Sequence, residues 1–262
     1  MSVYGGSEYP SPNGKTQALT IWQKVALSPS VETFSAYKNE ADLGRAVVWI
    51  IITTLITTTV SVLTTAFSQK SFLRNMDQIR GFLPPEVARE IPDIATGAAP
   101  RLSLGTALCG IPTGVIMGLI GAFIGVGLVH LAAKLLQGEG TYTETFFLTA
   151  AASAPITLAT GALQLLSALF GLIPVIGGIF GALIGLVTFA ISIYGLVLSA
   201  MAVAAAHRFT LGKGFASVLL PTVVILLLLC CGFGAMVALL VALGGSMEEI
   251  MREISAFATV II

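Results

Sequence analysis

Polar and apolar residues are segregated into long blocks along this chain. Apolar runs cover about Ala46–Phe67, Gly105–Val129, Phe146–Phe170, Gly178–Ala205 and Phe215–Leu243, and none carries Asp, Glu, Lys or Arg in its interior. A core helix of a soluble protein would show charge on an outer face every turn, whereas here the charges are confined to the breaks. At 1.5 Å per residue each run is long enough to cross a hydrocarbon core of ~30 Å with some tilt. None of the runs can be an isolated strand, because lipid leaves an open sheet edge unsatisfied. The pattern predicts an all-α membrane protein, a five-transmembrane-helix bundle over 46–243 with an N-terminal interfacial helix ahead of it.

The segments between the runs complete the organisation. Residues 1–17, rich in Gly, Pro and Ser, read as a disordered tail with no apolar core of the kind a cleavable signal peptide needs. Over 18–45, Leu19, Trp22, Val25 and Ala26 share one helical face, as in amphipathic helices lying at the headgroup level; the competing reading is a helix packed under the bundle. Ser28 is placed to cap a second short helix, with Pro29 at its first position and Glu32 in its first turn. Residues 68–103 carry Phe72, Leu73, Met76, Ile79 and Leu83 at helical spacing, ended by Pro84-Pro85, and read as an extracytoplasmic amphipathic loop. Residues 244–262 form a C-terminal tail.

Composition agrees. The chain is 56% hydrophobic and 10% charged, with a mean hydropathy of +0.95, against about a quarter charged in a soluble domain. The formal charge of zero leaves no basic footprint for nucleic acid. Cys109, Cys230 and Cys231 lie in apolar runs without CxxC spacing, so they read as small core residues.

Glycine spacing is the clearest packing signal. Gly110, Gly114 and Gly118 recur every four residues, followed by Gly121 and Gly125; Gly177, Gly181 and Gly185 repeat the spacing later. Such stripes let two backbones approach closely, either between helices of one bundle, the reading preferred here, or between two copies of the chain. Thr53, Thr57, Ser61 and Thr64 form a hydroxyl stripe with Thr54, Thr58 and Thr65 beside it. Helix packing with hydroxyls returned to the backbone is favoured over a polar pathway. His130 and His207 fall near span ends beside Lys134 and Arg208 and read as interfacial, because a proton relay would want carboxylates at depth. No phosphate loop, HExxH or GxSxG motif is present. No catalytic, cofactor-binding or metal-ligating residue is assigned, and the expected cofactor set is empty.

The basic residues divide almost evenly between the two sides, so the short turns decide orientation. Lys134, Arg208 and Lys213 flank tight hairpins, while the opposite turn "GLIPVIGG" has no charge. The N-terminus is therefore placed in the cytoplasm. The turn residues singled out are Lys134, Gly138, Gly140, Glu144, His207 and Lys213. Either Gly138 or Gly140 is expected to take positive φ in the reversal.

Three stretches carry a family resemblance: "WQKVALSPSVETF" at Trp22–Phe34, "HLAAKLLQGEGTYTETFFLTAAASAPI" at His130–Ile156 and "IYGLVLSAMAVAAAHRFTLGKGFASVLLP" at Ile193–Pro221. Together they resemble the Yip1-domain family of integral membrane proteins. The resemblance implies five spans with a cytosolic N-terminus and makes the polar break at Lys134–Glu144 the hairpin joining the second and third helices. Eukaryotic members associate with prenylated Rab GTPases and with each other in vesicle traffic, and carry a DLxGP motif ahead of the first helix. Here Asp42, Leu43 and Gly44 are followed by Arg45, a departure that counts against small-GTPase binding. The form looks more like the bacterial branch, which implies a plasma membrane. The expected partners are the lipid bilayer and other membrane proteins or a second copy. The expected role is a non-enzymatic scaffold or organising factor; the alternative is a small-solute transporter or channel, which a polar cavity crossing the bundle would favour. A membrane enzyme ranks third.

Overall fold

The computed structural model describes residues 17–80, 104–171, 173 and 176–242, and among them there is no strand. The α-helices are α1 (Ala18–Leu27), α2 (Val31–Ala36), α3 (Leu43–Arg80), α4 (Leu104–Leu135), α5 (Tyr142–Phe170), α6 (Ile176–His207) and α7 (Leu211–Ala242), with a 3-10 turn at Lys38–Glu40. Five helices are long and apolar enough to cross a membrane, over Leu43–Thr65, Cys109–Leu135, Tyr142–Phe170, Gly177–His207 and Leu211–Met236. The protein is an all-α integral membrane protein. Its chain forms two compact units, dividing after Val218. The first holds α1 to α6 and the start of α7. In the second, α7 continues to Ala242, and Leu226–Leu229 expose their side chains.

Within the first unit α5 is the central helix. It is the least apolar of the five spans and the most enclosed. The sequence explains this. Ala150, Ala151, Ala152 and Ala154 are small enough to let α3, α4, α6 and α1 pack around α5, and all four are buried. Helices that face lipid need large apolar side chains, and α6 supplies them with exposed Leu183, Leu186 and Phe189.

Small residues and threonines seat α3 on its neighbours. A Cβ added to Gly118 would lie 2.6 Å from the Thr54 methyl, and one on Gly114 2.6 Å from the Thr58 methyl. A Cβ on Gly161 of α5 would lie 3.2 Å from the Thr57 methyl. Thr53 and Thr57 return their hydroxyls to carbonyls one turn earlier, Trp49 and Thr53, each at 2.9 Å. The stripe thus turns methyls outward and satisfies its polar atoms internally. Only part of the glycine pattern packs this way. Gly110, Gly121, Gly125, Gly181 and Gly185 have nothing within 4 Å of an added Cβ, and Gly177 closes instead on Phe170 at the end of α5.

The N-terminal helices dock on this unit. Ile21, Trp22 and Val25 of α1 and Phe34 of α2 enter the core beside Trp49, Phe146 and Phe147. Trp22 meets Trp49 edge-on at 5.8 Å, and the Arg45 guanidinium lies 5.5 Å from the Trp49 ring, contacts worth about 0.5–1.5 kcal/mol beyond area burial. The buried face differs from the one expected. Ile21 replaces Leu19, which is 64% exposed, because the packing partner lies on the other side of Trp22. Ser30, not Ser28, caps α2 by accepting the Thr33 N–H at 3.0 Å. The Ser28 N–H is already used in closing α1 on Lys24. α3 runs without a break to Arg80, so 68–80 extends the first span's helix, and the remainder of the expected loop, Leu83 included, lies outside the described residues. The tails expected at 1–17 and 244–262 lie outside them too, apart from Gln17.

Candidate functional site: a histidine-threonine knot between two turns

Helices α4 and α6 end in the same way, at the same end of the first unit. In each the first residue beyond the helical turn is left-handed, Gln137 at φ 67° and Arg208 at φ 56°. The next residue's N–H reaches back to a carbonyl five positions earlier: Gly138 to Ala133 and Phe209 to Ala204, both at 2.9 Å. This is the Schellman closure, which satisfies helix carbonyls that otherwise lack partners. Positive φ, expected at Gly138 or Gly140, therefore falls on Gln137.

The glycines are needed for proximity. A Cβ on Gly138 would sit 2.8 Å from His207 Cγ and 2.8 Å from Phe209 Cζ, and one on Gly140 would press on the Ala206 carbonyl. Bare backbone lets the α4–α5 turn lie directly on the end of α6. There the Gly140 N–H donates to His207 Nδ1 at 3.2 Å. That bond fixes the tautomer, since Nδ1 carries no hydrogen and Nε2–H points at the Thr145 hydroxyl, 2.9 Å away. Thr145 donates its one hydrogen to the Thr141 carbonyl at 2.9 Å and accepts from His130 Nδ1 at 3.1 Å. Every polar atom of the knot except His130 Nε2 thus has a named partner, as buried polar groups require. The two imidazoles lie 5.0 Å apart, His207 stacks on Phe209 at 5.6 Å, and Tyr142 stands edge-on to His130 at 5.7 Å.

The start of α5 and the N-terminal segment tie into the same knot. Thr141 and Glu144 form a reciprocal capping box: the Thr141 N–H donates to Glu144 Oε2 at 2.7 Å, and the Glu144 N–H donates to Thr141 Oγ1 at 3.3 Å. Lys38 Nζ lies 3.5 Å from Glu144 Oε2 and donates to the Ala206 carbonyl at 2.7 Å. One ammonium therefore joins the N-terminal segment to the start of α5 and the end of α6. Tyr194 Oη adds a second tie, donating to the Ala26 carbonyl at 2.7 Å.

The turn residues singled out in the sequence thus come together, but in different roles. His207, at the end of its span, is 1% exposed and a structural pin. Lys134, Glu139, Arg208 and Lys213 are exposed around the knot, with Arg208 and Glu139 3.4 Å apart. Thr145 and Lys38 were not singled out. Thr-Tyr-Thr-Glu at 141–144 is a legible capping box, but nothing local marks Lys38. Among the described residues no three His, Cys, Asp or Glu side chains gather as metal ligands.

The Yip1 domain family model matches residues 24–248. The chain belongs to the Yip1-domain family. No curated protein and no solved structure is matched. The match to the Yip1 domain covers the docked segment from Lys24, all five apolar spans and both turns of the knot.

Proposed function

We propose that this Yip1-domain protein is a non-enzymatic membrane scaffold or organising factor whose working surface is the turn end of the bundle, facing the cytoplasm. The observation that carries the reading is the knot itself. His207, Thr145, Gly140 and Lys38 fix two hairpin turns and the N-terminal segment together, and the exposed Lys134, Glu139, Arg208 and Lys213 stand around them. A preorganised surface loses little freedom when a partner binds, and its excess of basic groups suits acidic protein segments or anionic headgroups. The spans hold no interior Asp, Glu, Lys or Arg of the kind that marks ion-coupled transport.

The test is capture from native membrane in mild detergent, comparing the wild-type chain with a Lys134→Gln, Arg208→Gln, Lys213→Gln variant. Loss of specific co-purifying proteins or anionic lipids from a monodisperse variant is expected. An unchanged set would remove the turn surface as the working one. A cleft lined in part by hydroxyls, Thr53, Thr54, Thr149, Ser153, Thr157 and Ser199 among them, favours the second reading, a small-solute transporter or channel. Solute flux into proteoliposomes above that of empty vesicles would support it.

A further inference from the structure

Beneath the knot, α4 leans on α3 and touches α5 and α6 only lightly. The result is a cleft of about 380 Å³. α5 lines it with Thr149, Ser153 and Thr157, which continue the one-face spacing begun by Thr145. On α4 the lining runs from Gly118 through Gly125 to Val129, while Val203 of α6 and Val218 of α7 also contribute.

Three features identify an occupant. The first is depth. Gly118 to Val129 on α4 corresponds to about 16 Å and Thr149 to Thr157 on α5 to about 12 Å at 1.5 Å per residue. Half of a hydrocarbon core is about 15 Å, so the cleft is as deep as one leaflet and begins one turn below His207. Second, the lining is uncharged and mostly apolar, as an acyl chain requires. The third is charge. Lys134 ends α4, and Lys213 reaches over to the Leu136 carbonyl at 3.5 Å, so two exposed ammonium groups stand at the knot end of the helices that flank the cleft.

We propose that this cleft holds one acyl chain of an anionic phospholipid from the leaflet on the knot side. The phosphate lies by Lys134 and Lys213, and the chain runs down the cleft past Thr149, Ser153 and Thr157. The inference shares Lys134 and Lys213 with the proposed scaffold surface but adds an occupant of the cleft that the scaffold reading does not require, and the adduct sites and the glycine pair test that occupant separately.

The test uses the full chain in vesicles of phosphatidylcholine containing a small fraction of phosphatidylglycerol with a photoactivatable diazirine on one acyl chain. Adduct sites are mapped by peptide mass spectrometry. Gly125 and Gly121 give a matched pair, since neither has anything within 4 Å of an added Cβ but only Gly125 lines the cleft. Gly125→Leu is expected to lower adduct yield at Thr149–Thr157 about tenfold, the equivalent of about 1.4 kcal/mol, and Gly121→Leu to leave it within about twofold. The paired Lys134→Gln, Lys213→Gln change should weaken labelling and erase the preference over the same probe on phosphatidylcholine. Adducts spread over the exposed Ile120, Ile124 and Leu186, with equal yields for the two glycine variants, would overturn the proposal. The wild-type adduct map alone decides between these outcomes should Gly125→Leu fail to fold.

Discussion

Gly140→Ala puts the knot to its hardest test, because one methyl attacks several contacts. The added Cβ would fall against the Ala206 carbonyl, 2.7 Å from its carbon, and 3.1 Å from His207 Nδ1. Backbone at the end of a packed helix cannot swing aside, so the α4–α5 turn must lift. Lifting breaks the Gly140 N–H bond to Nδ1, which is buried on both sides, and an orphaned buried polar group costs about 1–3 kcal/mol. Overpacking contributes about 1–3 kcal/mol on its own. The two costs belong to one displacement and do not add fully. A net loss of about 3 kcal/mol is expected, roughly a hundredfold in the folded-to-unfolded ratio. Gly138→Ala drives its Cβ against the His207 ring, 2.8 Å from Cγ, which Gly140 and Thr145 hold at both nitrogens, and should cost a comparable amount. Glu139→Gln disturbs only an ion pair with both partners more than two-thirds exposed and should cost at most about 1 kcal/mol. Denaturant titration in detergent micelles, followed by Trp22 and Trp49 fluorescence, gives the ranking. A Gly140→Ala protein as stable as wild type beside a destabilised Glu139→Gln protein would mean that exposed charge, not close packing, organises the turn.

Other consequences can be checked in the same assay. Gln137→Gly should be neutral or stabilising by up to about 1 kcal/mol, because it relieves a left-handed residue with a Cβ; a clear loss would show that the Gln137 side chain matters. Gly118→Leu should destabilise by about 1–3 kcal/mol or more through its contact with Thr54, while Gly181→Leu, facing open space, should change monomer stability by less than about 1 kcal/mol. Equal losses would place a partner on the Gly181 face. Lys38→Met should speed tryptic cleavage at Lys24 severalfold by freeing the N-terminal segment from Ala206 and Glu144; an unchanged rate would show that the aromatic contacts alone hold it.

What the sequence made legible follows from the range of each interaction. The five spans were readable because lipid solvation acts on every residue of a run. The reversal at Gln137–Gly140 was readable because polar residues and glycines cluster there. Span ends were less so: Leu43–Gly44-Arg45 and Ser68–Arg80 are polar enough to leave the apolar window yet carry the helix on. The pinning role of His207 was not readable, because its partners Gly140 and Thr145 lie 67 and 62 residues away. The glycine stripes had the right spacing, but spacing does not say which stripe meets a neighbour. Gly114 and Gly118 meet threonines, and Gly181 and Gly185 do not. Lys38 was invisible because a single lysine in a polar segment carries no pattern.

The central claim is that both turns form one surface on the cytoplasmic side. It is tested most directly by replacing Cys109, Cys230 and Cys231 with alanine and placing single cysteines at the exposed Glu139 and Lys213. A membrane-impermeant maleimide is then applied to sealed cells. Both positions are expected to stay unlabelled until the membrane is permeabilised, and then to label together. Labelling of either position from outside intact cells would contradict the account.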